Sequence, residues 1–418
     1  MMQTLQSVFG VLALLAIAWA ISENRRAVSL RNAAVGLAVT VLVALLILKI
    51  PQIQVGFALA NTAVRAIAAA THAGTSFLFG YVGGGPLPFE LKPNASAYIF
   101  AFESLPIVLL MSVLTTLLFY WRIMPPIVRG FSWALERTMG VGGAVGVSTA
   151  ANIFVGMVEA PLFIRPYLMN LSRSELFVVM TGGMAGVAGT VFAIYAMILG
   201  PVIPDAAGHI IVASVLGAPA AILISQIMIP DPGRQRTEGG LDPSLDGIAE
   251  STMDAIVKGT AAGLELMLNI AAMVIVFLAL VYLVNGMLGL LPAIGGEPVS
   301  LERILGLVMA PVCWLMGVPW AEAPTAGSLM GIKTILNEFI AYLKMAALPE
   351  GALSPRSRLI MLYAMCGFAN FGSAGIMIAG LATMAPDRRA EIASLGLKSI
   401  VSGTLCTCLL GAIVGALS

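Results

Sequence analysis

Long apolar runs dominate the chain, and they recur at lengths that suit a bilayer. Leu5–Ile21, Ala33–Ile50, Ile107–Tyr120, Ile210–Ile229 and Leu264–Val284 are each almost free of charge. A helix crossing the hydrocarbon needs about 20 apolar residues. The pattern predicts eight full spans, starting near residues 5, 28, 100, 174, 207, 260, 357 and 390. No positive residue precedes the first run and no cleavage-type tail follows it. Instead Arg25, Arg26 and Arg31 follow, which marks an uncleaved first span ending inside. The loops then assigned inside carry "WRIMPPIVRGFSWALER", "IRPYLMNLSR", "PDPGRQRTEGG" and "APDRRAE", whereas "GPVIPDAAG" and "NGMLGLLPAIGGEP" outside have no Lys or Arg. Arg356 and Arg358, in an outside loop, depart from this asymmetry. Both termini come out periplasmic, in a bacterial inner (plasma) membrane.

Some stretches break the pattern. Pro51–Ser96 is neither a clear span nor a clear loop; "VGFALANTAVRAIAAATHAG" within it reads as an amphipathic interfacial helix with Arg65 and His72 on its wet side. Pro230–Glu250 is polar and rich in Gly and Pro, a linker that divides the chain into halves. Val141–Tyr167 and Ala310–Tyr342 are apolar but interrupted by Gly and Pro, and each holds a carboxylate well inside. Both are predicted to be re-entrant helical hairpins, with Glu159 at the tip of the first and Pro161 helping to break the helix there. Exposed backbone at such a tip is tolerable only against protein or a watery cavity. The halves echo each other: "SELFVVMTGGMAGVAG" follows the first carboxylate and "SRLIMLYAMCGFANFGSAG" the second. Interrupted segments at matching positions of two halves point to a transporter's binding site.

Composition sharpens the class. Of 418 residues, 59% are hydrophobic and 10% charged, with a net charge of +1. So small a charged fraction excludes a soluble helical protein of this size, and the balance suggests no nucleic-acid partner. The four cysteines lie inside apolar segments and read as small buried hydrophobes. Neither histidine has a partner at metal-ligand spacing.

The carboxylates carry the chemistry. A charge at membrane depth costs roughly 2.5–3.5 kcal/mol, so Glu159 and Glu338 are expected to face a cavity and a partner. The bland alternative is a helix cap, or pairing with Arg165 or Lys333. Asn370 and Ser373, three apart within "CGFANFGSAG", share a helical face beside glycines that permit a break; helix–helix glue through small residues is the competing reading. Asn152 could lend its amide oxygen to a small cation or cap a helix. Phe368 and Phe371 offer faces for a planar ring.

Together, "GxxEAPLxIRPY", "LNEFIAY" and "CGFANFGS" resemble the concentrative nucleoside transporter family, in that family's order and spacing. The resemblance runs from the first span to the last. It implies an all-α integral membrane protein of eight transmembrane helices plus two re-entrant helical hairpins and interfacial helices, with an inverted-repeat transport domain on a scaffold. The implied divisions are 1–137 (N-terminal spans, interfacial helix, part of the scaffold), 138–229 (first transport repeat), 230–259 (linker and interfacial helix), 260–300 (scaffold span) and 301–418 (second repeat). It further implies a homotrimer, a transport domain moving like an elevator, and uptake of nucleosides with sodium, or with protons in some members.

Carried over by residue, Glu338 would bind ribose hydroxyls, with Asn370 and Ser373 beside it and Phe368 against the nucleoside. Gly156, Met157, Val158 and Glu159 would face the base, and Val191 would pack on it. Asn152, with the carbonyls of Val155, Gly186 and Val187, would hold sodium. The chain departs from the family twice. Met157 and Val158 stand where many members have Gln and Thr, which bears on base selectivity. Gly186 stands where Ser or Thr is frequent, which bears on sodium against protons. With Glu159 the one strong acceptor left at the first tip, a uridine-like substrate is expected. A passive channel is the competing class. An intramembrane enzyme is the third class, but HExxH, Gly-x-Ser-x-Gly and any His–Cys–Asp group are missing, so no enzyme activity is expected.

Overall fold

The computed structural model describes residues 2–92, 96–231, 249–293, 296 and 298–418. All regular structure among them is helical. Most of the linker at Pro230–Glu250 lies outside the described residues.

The N-terminal part runs α1 (Met2–Ala20), α2 (Leu30–Lys49), α3 (Pro51–Phe79), the single turn α4 (Phe100–Glu103), α5 (Ile107–Tyr120) and amphipathic α6 (Met124–Met139). The first interrupted region holds α7 (Gly143–Ala151) and the short α8 (Glu159–Leu162), followed by α9 (Arg173–Ala185), α10 (Gly189–Leu199) and α11 (Ala206–Met228). The second half runs α12 (Thr252–Leu288), α13 (Leu301–Leu315), α14 (Ala323–Ile335), α15 (Glu338–Ala346), α16 (Pro355–Met365), α17 (Phe371–Met384) and α18 (Arg389–Leu417). Side-chain caps set several starts: Ser172 and Glu175 form a reciprocal capping box at α9, and Ser251, Ser300 and Ser354 cap α12, α13 and α16.

Among the described residues, seven stretches are long and apolar enough to cross a membrane. The span expected from residue 357, with glycines that permit a break, consists of two shorter helices, α16 and α17, with Cys366–Asn370 between them. The region expected as an interfacial helix is one unbroken 29-residue helix, α3, which packs against α5, α10 and α11. Buried α9, α11 and α18 form the centre of the molecule. At its edge α12 leaves Ile275, Tyr282, Leu283 and Met287 exposed and seats Gly259 and Gly263 on α5. A Cβ on either would lie within 3.0 Å of an α5 backbone atom, at Val113 and Leu109 respectively, so close approach there requires glycine.

Two boundaries differ from the sequence expectation. Ala310, expected as the start of the second interrupted stretch, lies inside α13, whose helix tolerates Pro311 and ends only where Gly317 turns at φ +100°. The break carrying Glu338 is Leu336–Asn337, between α14 and α15. In the first region the break is Asn152–Val158, and Pro161 does not make it. Pro161 sits in the first turn of α8, where a missing N–H costs nothing.

The ends of the chain meet. Arg356 donates to the carbonyls of Gly317 at 2.7 Å and Gly415 at 2.5 Å and to Ser7 Oγ at 3.1 Å. Its departure from the loop-charge pattern therefore has a structural cause: the guanidinium ties α1, α13 and the C-terminal end of α18, where the helix dipole favours a cation.

Candidate functional site

The two helix breaks touch. The Phe368 N–H donates to the Gly186 carbonyl at 3.2 Å, and Gly367 lies so close to α9 that a Cβ would stand 2.8 Å from the Met184 carbonyl oxygen. Backbone released from helical bonding in one half is thus partly satisfied by the other. Such non-helical backbone is what a membrane-embedded site needs and what lipid forbids.

Glu338 lies beside this junction. It opens α15 immediately after Asn337, whose side chain accepts the Ile340 N–H at 2.9 Å and caps the helix. The carboxylate is 4% exposed. Its Oε1 accepts from Tyr195 Oη at 2.7 Å and its Oε2 from Asn370 Nδ2 at 3.2 Å. Asn370 does double duty, because its Oδ1 accepts the Ser373 N–H at 2.7 Å and caps α17. An acid at a helix N-terminus, donated to from both sides, has its two oxygens held in place as acceptors. Lys333, wholly buried one turn back on α14, is an electrostatic neighbour of Glu338, and its Nζ has no hydrogen-bond partner among the described residues.

Glu338, Asn370 and the Ser373 backbone are therefore brought together, with half-buried Phe368 two residues from Asn370. Buried Val191 lies one helical turn from Tyr195 on α10, which places it on the face turned to Glu338. Glu159 stands apart. It is exposed, has no hydrogen bond or ion pair among the described residues, and folds its carboxylate back over Gly156, where a Cβ would sit 2.2 Å from Oε2. Met157 packs on Gly183 of α9 and Val158 on Gly380 of α17.

Asn152 donates Nδ2 to the Gly182 carbonyl at 2.7 Å, which leaves Oδ1 presented. The carbonyls of Val155 and Val187, both buried residues outside helices, accept no hydrogen bond among the described residues. The Gly186 carbonyl accepts only the Phe368 N–H. Buried neutral oxygens short of donors fit a hard, singly charged cation, so the residues present suit sodium.

Tyr195 was not singled out from sequence. Its one signal is a phenol inside the apolar run "VFAIYAMIL", since a buried Tyr hydroxyl needs a partner.

Three family models match the chain: "Na+ dependent nucleoside transporter N-terminus" over residues 9–82, "Nucleoside recognition" over 101–202, and "Na+ dependent nucleoside transporter C-terminus" over 209–415. The nucleoside permease NupC of Helicobacter pylori is 34% identical, the alignment covering 99% of this chain and 97% of the permease. The chain belongs to the concentrative nucleoside transporter family. An uncharacterized transporter of Haemophilus influenzae is 38% identical over 99% of this chain and 98% of its own length. Among solved structures, CNTnw in an inward-facing substrate-bound state superposes with a TM-score of 0.88 at 33% identity, covering 99% of this chain and 97% of the other. A CNTnw variant in an outward-facing state gives 0.87 at 32% identity, covering 100% and 98%. The chain is thus a membrane protein of a transporter family and not an enzyme.

Proposed function

We propose that this protein is a secondary-active symporter that takes up nucleosides, uridine-like ones first, with sodium. The observation that carries the reading is Glu338, a buried carboxylate donated to by Tyr195 and Asn370 at the meeting of two broken helices. Paired ribose hydroxyls are donors, and a desolvated carboxylate is the acceptor that recognises them. In this reading Asn370 and Ser373 complete the ribose subsite, Phe368 and Val191 flank the base, and the Gly156–Glu159 tip faces its edge. Asn152 Oδ1 and the carbonyls of Val155, Gly186 and Val187 hold sodium, which supplies the gradient that drives uptake. The helix breaks and the relatives solved inward- and outward-facing support alternating access, here of the elevator type. We place the protein as a homotrimer in a bacterial inner membrane, both termini outside.

Proton coupling is the second reading, and Gly186 favours it, since no side chain there can add a ligand. Uptake of a nucleoside panel into proteoliposomes, with a sodium or a proton gradient imposed separately, decides between them. Concentrative uridine uptake on the sodium gradient is expected. Equilibration without accumulation on either gradient would mean a passive pore.

A further inference from the structure

Thr149, like Thr404 of α18, is an exception among the helical threonines. A threonine inside a helix normally returns its hydroxyl to the carbonyl four residues back, and Thr40, Thr116, Thr138 and Thr334 do so at 2.6–2.9 Å. Thr149, in α7, does not. It is 2% exposed, and its Oγ1 has no hydrogen-bond partner among the described residues. Leaving a buried hydroxyl unpaired is destabilising, so its persistence asks for a ligand.

Its side chain is turned to α9: a Cβ built on Gly182 would find Thr149 Cγ2 and Oγ1 both at 3.8 Å, so glycine there leaves room beside the threonine. Thr149 lies one turn before Asn152, the C-cap of α7, and Gly182 lies four residues before Gly186, the extended C-cap of α9. Asn152 ties the helices together through its bond to the Gly182 carbonyl at 2.7 Å, and its Nδ2 lies 3.0 Å from where a Cβ on Gly186 would stand. The space that a side chain at Gly186 would claim is bordered by Asn152 and the Gly182 carbonyl, and Thr149, next to Gly182, precedes Asn152 by one helical turn.

We infer that Thr149 contributes its hydroxyl oxygen to the coupling cation, in place of the side chain that Gly186 lacks. The inference rests on the reading of Asn152 and its neighbours as a cation site. All the oxygens involved are neutral, which suits a single positive charge better than a divalent ion.

The test uses the purified full-length protein, with melting temperature measured in rising NaCl against choline chloride at constant ionic strength. The sodium dependence of uridine uptake is measured in parallel. Wild type should be stabilised by sodium. Thr149→Val, close in shape, should need roughly tenfold more sodium for half its effect in both measurements. Thr149→Ser should stay near wild type. Thr149→Val/Gly186→Ser should recover part of the loss, since a hydroxyl returns at a position whose extended backbone, φ −127°, accepts a side chain. An unchanged sodium midpoint in Thr149→Val, with the response lost in Asn152→Ala, would overturn the role of Thr149 and leave the cation site standing. Absence of any sodium response in wild type would overturn the cation site, and Thr149 with it.

Discussion

Glu338 accepts two hydrogen bonds in a site closed to solvent, and truncating one partner of such a charge-assisted contact costs roughly 2–5 kcal/mol. Glu338→Ala should therefore abolish uridine uptake while the protein still inserts and purifies as the wild type does. Near-normal uptake by that variant would remove Glu338 from the site. Tyr195 acts one step away, by orienting Oε1 at 2.7 Å. Tyr195→Phe should raise the apparent KM for uridine roughly tenfold, the scale of one hydrogen bond to a charged group. If the effect passes through Glu338 and ribose, 2′,3′-dideoxyuridine should bind weakly to wild type and lose little further in the variant. An equal loss for both ligands would assign Tyr195 to packing alone.

At the scale of elements, the breaks decide what can be recognised. Asn370 caps α17 and donates to Glu338, whereas Cys366 is a buried thiol at the end of α16. Asn370→Ala should weaken uridine binding markedly and Cys366→Ala only slightly; equally mild effects would make this break mere helix packing. In the proposed reading the first tip bears on selectivity. An apolar wall discriminates by shape, at roughly 1–3 kcal/mol, whereas polar groups reject a mismatched base edge more strongly. Met157→Gln/Val158→Thr should sharpen the ranking of pyrimidine over purine nucleosides in competition against labelled uridine. An unchanged ranking with affinities intact would leave Met157 and Val158 as the packing residues that seat the tip on Gly183 and Gly380.

These elements were unequally legible. Lipid demands long apolar runs, so α1, α2, α11 and α18 stand out in the sequence, and Asn370 among glycines marked its own break. The second interruption falls later than Ala310 because α13 and α14 are both apolar, and Pro311 reads as a breaker although its helix continues through it. Pro161 misled in the same way. The pairing of Tyr195 with Glu338, 143 residues apart, and the contact of Phe368 with Gly186 are made by tertiary packing and leave no local trace.

At the scale of the whole molecule, separate segments are tied on one face by charge. Glu23, in the loop between α1 and α2, binds Arg173 at 2.9 Å at the start of α9 and forms a short ion pair with Lys398 of α18. Arg173 also lies 3.8 Å from Glu391, which pairs with Arg388 at 2.7 Å. Arg388 in turn donates to the carbonyls of Leu168 and Leu171, at 2.7 Å each, on the return from the first tip. These are the segments that the arginine-rich loops assign to the inner side. Chiefly through its hydrogen bond with Arg173, and with help from Lys398, Glu23 titrates at about 2 instead of the ordinary 4.5. A carboxyl held low in the folded state contributes stability that is complete above pH 4.5 and is lost as pH falls toward 2. Partial exposure and salt both reduce the contribution, so the effect should be modest and should shrink at high ionic strength. In detergent at low salt, the melting temperature of wild type should drop more between pH 5 and pH 3 than that of Glu23→Gln, and the two curves should converge at the acid end. Parallel curves across that interval would show that the network adds nothing to the joining of α1, α9 and α18, and that helix packing alone holds this face.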